Sequence, residues 1–170
     1  MSRPPAKTLG KTLGKALGKT PAKILDRGVL PSLLGYALRR AQSAVFADFA
    51  ATFAGAGEAL TPGEFGLLVL VEHNAGLSQM ALARALGIDR STLVPILDRL
   101  QGRGLLVRRR SPTDGRTHAL GLTPDGTRAL ARFARLVKRH EARIATRLST
   151  AETRSLIDLL EKVRAGARPL

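Results

Sequence analysis

The chain has 170 residues, 44% apolar and only 4% aromatic, with a formal net charge of +15 and no cysteine. This length suits one compact domain or a small lobe with an added dimerisation region, with ample apolar residues for a core. The scarcity of aromatics argues against single-strand binders that stack bases on aromatic platforms, and the lack of cysteine excludes disulfides, zinc–cysteine sites and thiol redox sensing. A surface this basic requires a polyanionic partner, nucleic acid or an anionic membrane. No apolar run approaches the roughly 20 residues that span a bilayer. The basic N-terminus lacks the unbroken apolar core of a secretory signal, so the expected location is the cytoplasm.

Residues 1–29 stand apart. Lys7, Lys11, Lys15, Lys19, Lys23 and Arg27 recur every four residues in a degenerate K-x-L-G repeat with Gly10, Gly14 and Gly18. Glycines cost about 1 kcal/mol each in a helix, and like charges four apart repel. The arm is therefore expected to be disordered and solvated, and to add sequence-independent phosphate contacts. Its two Gly-Lys-Thr triplets do not make a nucleotide-binding loop. The glycine required five residues earlier is Leu13 in one case and Pro5 in the other, and no strand precedes either.

Residues 30–60 read as an N-terminal dimerisation helix. Pro31 and Ser32 open it, Leu34, Leu38, Ala41, Val45 and Phe49 trace an apolar stripe widened by Phe46 and Phe53, and Gly55-Ala56-Gly57 ends it. Thr61-Pro62-Gly63-Glu64 is a capping box with proline at the first helical position. The helix it starts carries Phe65, Leu67, Leu68, Leu70 and Val71, and ends near Asn74–Gly76.

Ser78 caps a short helix whose apolar residues Met80, Ala81, Leu82, Ala85 and Leu86 favour one face, and Gly87 stops it. Asp89 caps the next helix, with Leu93, Ile96, Leu97 and Leu100 at helical spacing. Two helices joined by a tight glycine turn make a helix-turn-helix, whose second helix enters the major groove. Leu105–Val107 and Ala119–Leu122 read as strands of a hairpin. Between them lie Arg108, Arg109, Arg110 and a Pro112-Thr113-Asp114-Gly115 tip with a strong Asp-Gly turn signal. The fold expected for residues 61–123 is a winged helix. Thr123-Pro124 then starts a long helix (Leu130, Phe133, Val137, Ile144, Leu148). Ser149 and Glu152 form a second capping box ahead of a last helix with Leu156, Leu159, Leu160 and Val163. Residues 124–170 are expected to complete an intertwined homodimer. The fold class is thus mostly α with a small β wing.

The ordered set SQMALARALGIDRSTL, DRL, GLLVRRR, SPTDGR and LTPDG over Leu77–Gly126 resembles the DNA-binding lobe of the MarR family of bacterial transcription regulators, and with flanking helices the likeness covers roughly residues 30–165. The resemblance implies a two-fold dimer on double-stranded, palindromic DNA. It places Asp114 and Arg116 on the family's wing Asp-x-Arg, where the aspartate orients the hairpin and the arginine enters the minor groove. It also implies control by small anionic or aromatic ligands bound between the dimer helices and the lobe. Gly35–Phe49 is similar to the first helix of members that respond to aromatic acids or their coenzyme A thioesters.

Arg90, Ser91, Thr92 and Val94 begin the recognition helix, where base edges are met. Arg90 suits guanine, and Thr92 suits a thymine methyl or a phosphate. Many relatives carry Thr-Arg where this chain has Val94-Pro95, and proline beyond the first turn is expected to kink the helix. Arg108, Arg109, Arg110 and Arg116 are expected at phosphates, while Arg99 and Arg103 meet the DNA backbone or pair with Asp98 and other acids. For an effector, Arg39 or Arg40 suits a carboxylate or coenzyme A phosphate, and Tyr36, Phe46 and Phe49 an apolar wall. The same aromatics serve equally as dimer core. His73, His118 and His140 lack metal-ligand spacing and are not expected to sense a ligand or pH, although His118 in the wing suits a weak phosphate contact. No catalytic arrangement, metal or cofactor is expected. The alternative is a sequence-indifferent architectural DNA binder without an effector.

Overall fold

The computed structural model describes residues 25–74, 76–110 and 118–167, without the side chains of Arg109, Arg110 and His118. The first 24 residues of the basic arm and the wing tip with Asp114 and Arg116 lie outside the described residues. A 3₁₀ turn at Leu30–Ser32 precedes α1 (Leu34–Ala54), α2 (Pro62–His73), α3 (Gln79–Leu86), α4 (Arg90–Gly102), β1 (Leu106–Arg110), β2 (His118–Leu122), α5 (Pro124–Ile144) and α6 (Thr150–Gly166).

The helix starts follow their caps. Thr61 accepts from the Glu64 N–H at 3.2 Å while the Glu64 carboxylate accepts from the Thr61 N–H at 2.7 Å, closing the expected box. Ser149 and Glu152 repeat it ahead of α6. Gly87 ends α3 with φ +65°, a left-handed conformation that glycine adopts without steric cost. The Ile88 N–H then reaches back to the Ala83 carbonyl.

Three boundaries or faces differ from expectation. The first helix starts at Leu34 and not at Pro31, because Leu33 is extended (φ −88°, ψ 122°) and its N–H closes the 3₁₀ turn onto Leu30. Asp89 occupies the cap position of α4 without a side-chain hydrogen bond. Pro95 lies inside α4, where it costs one backbone hydrogen bond. In α3 the buried face is Leu82 and Ala83 with Leu86 half-buried, whereas Met80 is 65% exposed and Ala81 and Ala85 are also outside. The apolar alanines blurred the true stripe there.

The wing strands pair antiparallel from Leu106 opposite Leu122 to Arg110 opposite His118. The ladder therefore runs further into the arginines than the apolar pattern indicated, because main-chain pairing is indifferent to side-chain charge. Leu77 adds a rung that the sequence did not signal: its carbonyl accepts from the Leu120 N–H at 3.1 Å, with Ser78 bridged to Ala119.

The core gathers Phe53 of α1, Leu67 and Leu68 of α2, Leu82 of α3, Leu93, Leu97 and Leu100 of α4, Leu106 and Leu120 of the wing and Phe133 of α5. Each such side chain contributes about 1.5–3 kcal/mol by leaving water. α1 and α5 run antiparallel: Phe53 meets Phe133, with ring centroids 5.7 Å apart, and Phe49 meets His140 edge-on at 5.3 Å. Beyond this core, apolar faces are left uncovered by the described residues. Leu34 is 59% exposed on α1, Leu159 is 56% exposed on α6, and α6 buries no residue within the chain. Leu148, expected on the long helix, falls in the turn after it. No helix among the described residues is long and apolar enough to cross a membrane.

The start of α5 packs backbone to backbone on the α4–β1 turn. A Cβ built on Gly126 would sit 2.0 Å from the Leu105 carbonyl oxygen, while one on Gly102 meets nothing within 4 Å. Gly126→Ala is expected to destabilise by about 3 kcal/mol, the upper range for forced overpacking. Gly102→Ala should be neutral or slightly stabilising, and chemical denaturation of the two variants checks the contrast.

Candidate nucleic-acid interface and effector region

α4 is held at its C-terminal half and open at its N-terminal end. Glu64 is only 3% exposed, and with one carboxylate oxygen committed to its own cap, the other accepts from Arg99 Nε at 2.7 Å. Arg103, the C-terminal cap of α4, donates to the Ala59 carbonyl at 2.5 Å and lies 3.6 Å from Glu58. Asp98 accepts from Arg108 of β1 at 2.5 Å, which ties the wing to the same helix. Arg99 and Arg103 therefore pair with acids, as one of the two expectations had it. The acids are Glu64 and Glu58, while Asp98 takes Arg108. Arg108 has an internal partner and a buried Nε without one, so it serves first as a strut between wing and helix.

At the other end Arg90, Ser91 and Thr92 are exposed in the first turn, with Val94 half-buried and Leu93 beneath them in the core. Among the described residues Arg90 has no acidic partner. Its guanidinium is free to meet an anion, with the orphan N–H groups of a helix start beside it. The backbone of Arg109 and Arg110 continues β1, paired with Ala119 and His118.

The residues considered for an effector do not converge within one chain. Tyr36 sits in the first turn of α1 with Arg39 and Arg40 near its ring, at 5.6 and 5.8 Å from the centroid. Phe46 is ten residues further on, about 15 Å along the helix, and 48% exposed. Phe49 is a core residue, stacked on Phe53 with centroids 4.5 Å apart.

A polar cluster between α1 and α5 was not legible as such. His140 is buried with its Nδ1 2.6 Å from Asp48 Oδ2, and Arg143 donates to both carboxylate oxygens of Asp48, at 2.8 and 2.7 Å, and to Thr52. The signal was present in the spacing: His140 follows Phe133 and Leu136 at seven and four residues, the buried register of α5. Hydrogen bonds from Arg143, and then from His140, hold the Asp48 carboxyl at about 2, below its ordinary 3.8.

These elements define a winged-helix DNA-binding lobe with helical extensions at both ends. Residues 60–117 match the model of the MarR family. The chain is 44% identical to a candidate transcriptional regulatory protein for the hcr operon of Thauera aromatica, over 82% of this chain and 83% of that one. It superposes on the transcriptional repressor CouR bound to a 23-mer DNA duplex with a TM-score of 0.77 and 45% identity, over 82% of this chain and 98% of that one. CouR bound to p-coumaroyl-CoA matches with a TM-score of 0.75 and 43% identity, covering 82% and 97%. The chain belongs to the MarR family of transcriptional regulators.

Because the folded value of Asp48 lies below its ordinary one, the cluster's contribution to stability is full above about pH 4 and is lost as pH falls towards 2. Asp48→Asn should melt below the wild type at pH 7, and the gap should close on acidification through that window. A gap independent of pH in thermal melts would contradict the assignment.

Proposed function

We propose that the protein is a homodimeric transcription regulator that binds a palindromic operator and is released by an aromatic acid or its coenzyme A thioester. The observation that carries this reading is the free, exposed Arg90–Thr92 turn on a helix otherwise locked by ion pairs, in a chain 45% identical to a repressor bound to DNA. Residues 61–123 form the reading lobe. Residues 30–60 and 124–170 pair with those of a second copy, which would cover the exposed leucines of α1 and α6. The two recognition helices then sit about one DNA turn apart, matching two half-sites.

In this reading Arg90, Ser91, Thr92 and Val94 meet base edges and phosphates, and Arg109, Arg110 and Arg116 follow the backbone or the minor groove, with Asp114 orienting the tip. Arg108 holds the wing against α4 through Asp98 and adds its charge to the same surface. The basic arm of residues 1–29 supplies further sequence-independent attraction. Protein and DNA meet in the cytoplasm. Effector binding draws on Tyr36, Arg39, Arg40 and Phe46 at the dimer face. Phe49 supports them from inside the core. CouR, bound in one structure to DNA and in another to p-coumaroyl-CoA, supports the aryl-CoA class.

The test is affinity for a palindromic duplex selected by the protein from random sequence, against a scrambled duplex at one salt concentration. Specific binding should exceed non-specific by at least about 10³-fold. Arg90→Ala should lose about 1–3 kcal/mol, or roughly five- to hundredfold, on the operator and much less on the scrambled duplex. A ratio near one would identify a sequence-indifferent architectural binder.

A further inference from the structure

α5 carries Arg128, Arg132, Arg135, Lys138 and Arg139 within about three turns, and like charges four apart destabilise a helix. Arg128 is paired with Asp125 and Arg132 with Glu58. Arg135, Lys138 and Arg139 are exposed and have no carboxylate partner among the described residues. With Arg132 they line a groove of about 830 Å³ between α5 and the turn that follows α1. Glu58 is its acidic lining residue, and Leu136 adds apolar surface.

We infer that this groove binds the phosphate groups of a small organic anion. Four cations against one carboxylate leave a strong positive excess in a concave site, and guanidinium forks bind phosphate oxygens in pairs. A small ligand is favoured over duplex DNA by position. Glu58 links the groove to Arg103, at the end of α4 opposite Arg90, and thirteen helical residues separate these ends by about 20 Å. The groove also runs along α5 to Ala142, past the level where His140 meets Asp48 and Phe49 of α1. Resting on the aryl-CoA reading proposed above, the occupant is the nucleotide end of the thioester, with its pyrophosphate and ribose phosphate.

The site has a route to the recognition helix. Glu58 lies 3.4 Å from Arg132 and 3.6 Å from Arg103. A phosphate that engages Arg132 competes with Glu58 for it and so alters the link from α5 to the C-terminal cap of α4.

The experiment is calorimetric titration of the full chain and of Arg135→Gln/Arg139→Gln with p-coumaroyl-CoA and with p-coumaroyl-N-acetylcysteamine, a thioester lacking the nucleotide. Among the described residues the substituted arginines are exposed and have no carboxylate partner, and removing two like charges four apart should leave the melting temperature unchanged or higher. The wild type should bind the full thioester at least tenfold more tightly than the truncated one. The double variant should lose most of that margin while binding the truncated thioester unchanged. No margin in the wild type, or the same margin in the variant, would overturn the inference. If the wild type binds neither thioester, it is the aryl-CoA reading that fails. Adenosine 3′,5′-bisphosphate then decides for the groove: saturable binding lost in the variant upholds it, and no binding overturns it.

Discussion

The buried carboxylate of Glu64 is the constraint on which the reading surface depends. An ionised carboxylate taken out of water costs several kcal/mol unless its oxygens are satisfied. Here one oxygen closes the cap of α2 through Thr61 and the other takes Arg99 of α4. The same residue therefore starts the backing helix and fixes the recognition helix against it. Arg99 itself remains 55% exposed, so water screens the pair from one side, but sliding α4 by one residue would carry Arg99 away from the only oxygen left for it and leave a buried carboxylate oxygen unsatisfied.

Around that pair the arginines divide into two groups. Arg99, Arg103 and Arg108 are committed to Glu64, Glu58 and Asp98, which anchors α4 to the α1–α2 turn, to α2 and to the wing. Arg90, at the opposite end, has no acidic partner among the described residues. Composition alone shows only an excess of positive charge. The structure shows that part of this charge is internal bracing, while a distinct part faces outward at the start of α4, the end proposed to meet the duplex. The family to which the chain belongs fits that division.

Much of this was legible in the sequence because it is local chemistry. The Thr61–Glu64 and Ser149–Glu152 boxes, Thr123-Pro124, Gly87 and the leucine spacing of α4 each act within a few residues, and each sets the element it predicts. What was hidden depends on partners distant in the chain. Glu64 and Arg99 are 35 residues apart, Asp48 and Arg143 are 95 apart, and nothing in either neighbourhood marks the partner. Met80 misled because a short helix rich in alanine offers several equally apolar faces, and only the tertiary contacts of Leu82 choose among them. The effector residues of α1 were grouped by sequence proximity, yet ten residues of helix separate Tyr36 from Phe46, and Phe49 turns inward. If they act together, a second copy brings them together. The exposed leucines of α1 and α6 make the same demand, since apolar faces of this kind call for a partner.

In the proposed regulator, the dimer joins the DNA-binding surface to the effector. The most direct measurement is fluorescence anisotropy of a labelled operator saturated with the protein and titrated with p-coumaroyl-CoA, with free p-coumarate and unacylated coenzyme A in parallel. The thioester is expected to release DNA saturably at concentrations where coenzyme A alone does nothing. Anisotropy that stays at its bound value throughout, with the thioester shown calorimetrically to occupy the protein, would contradict it.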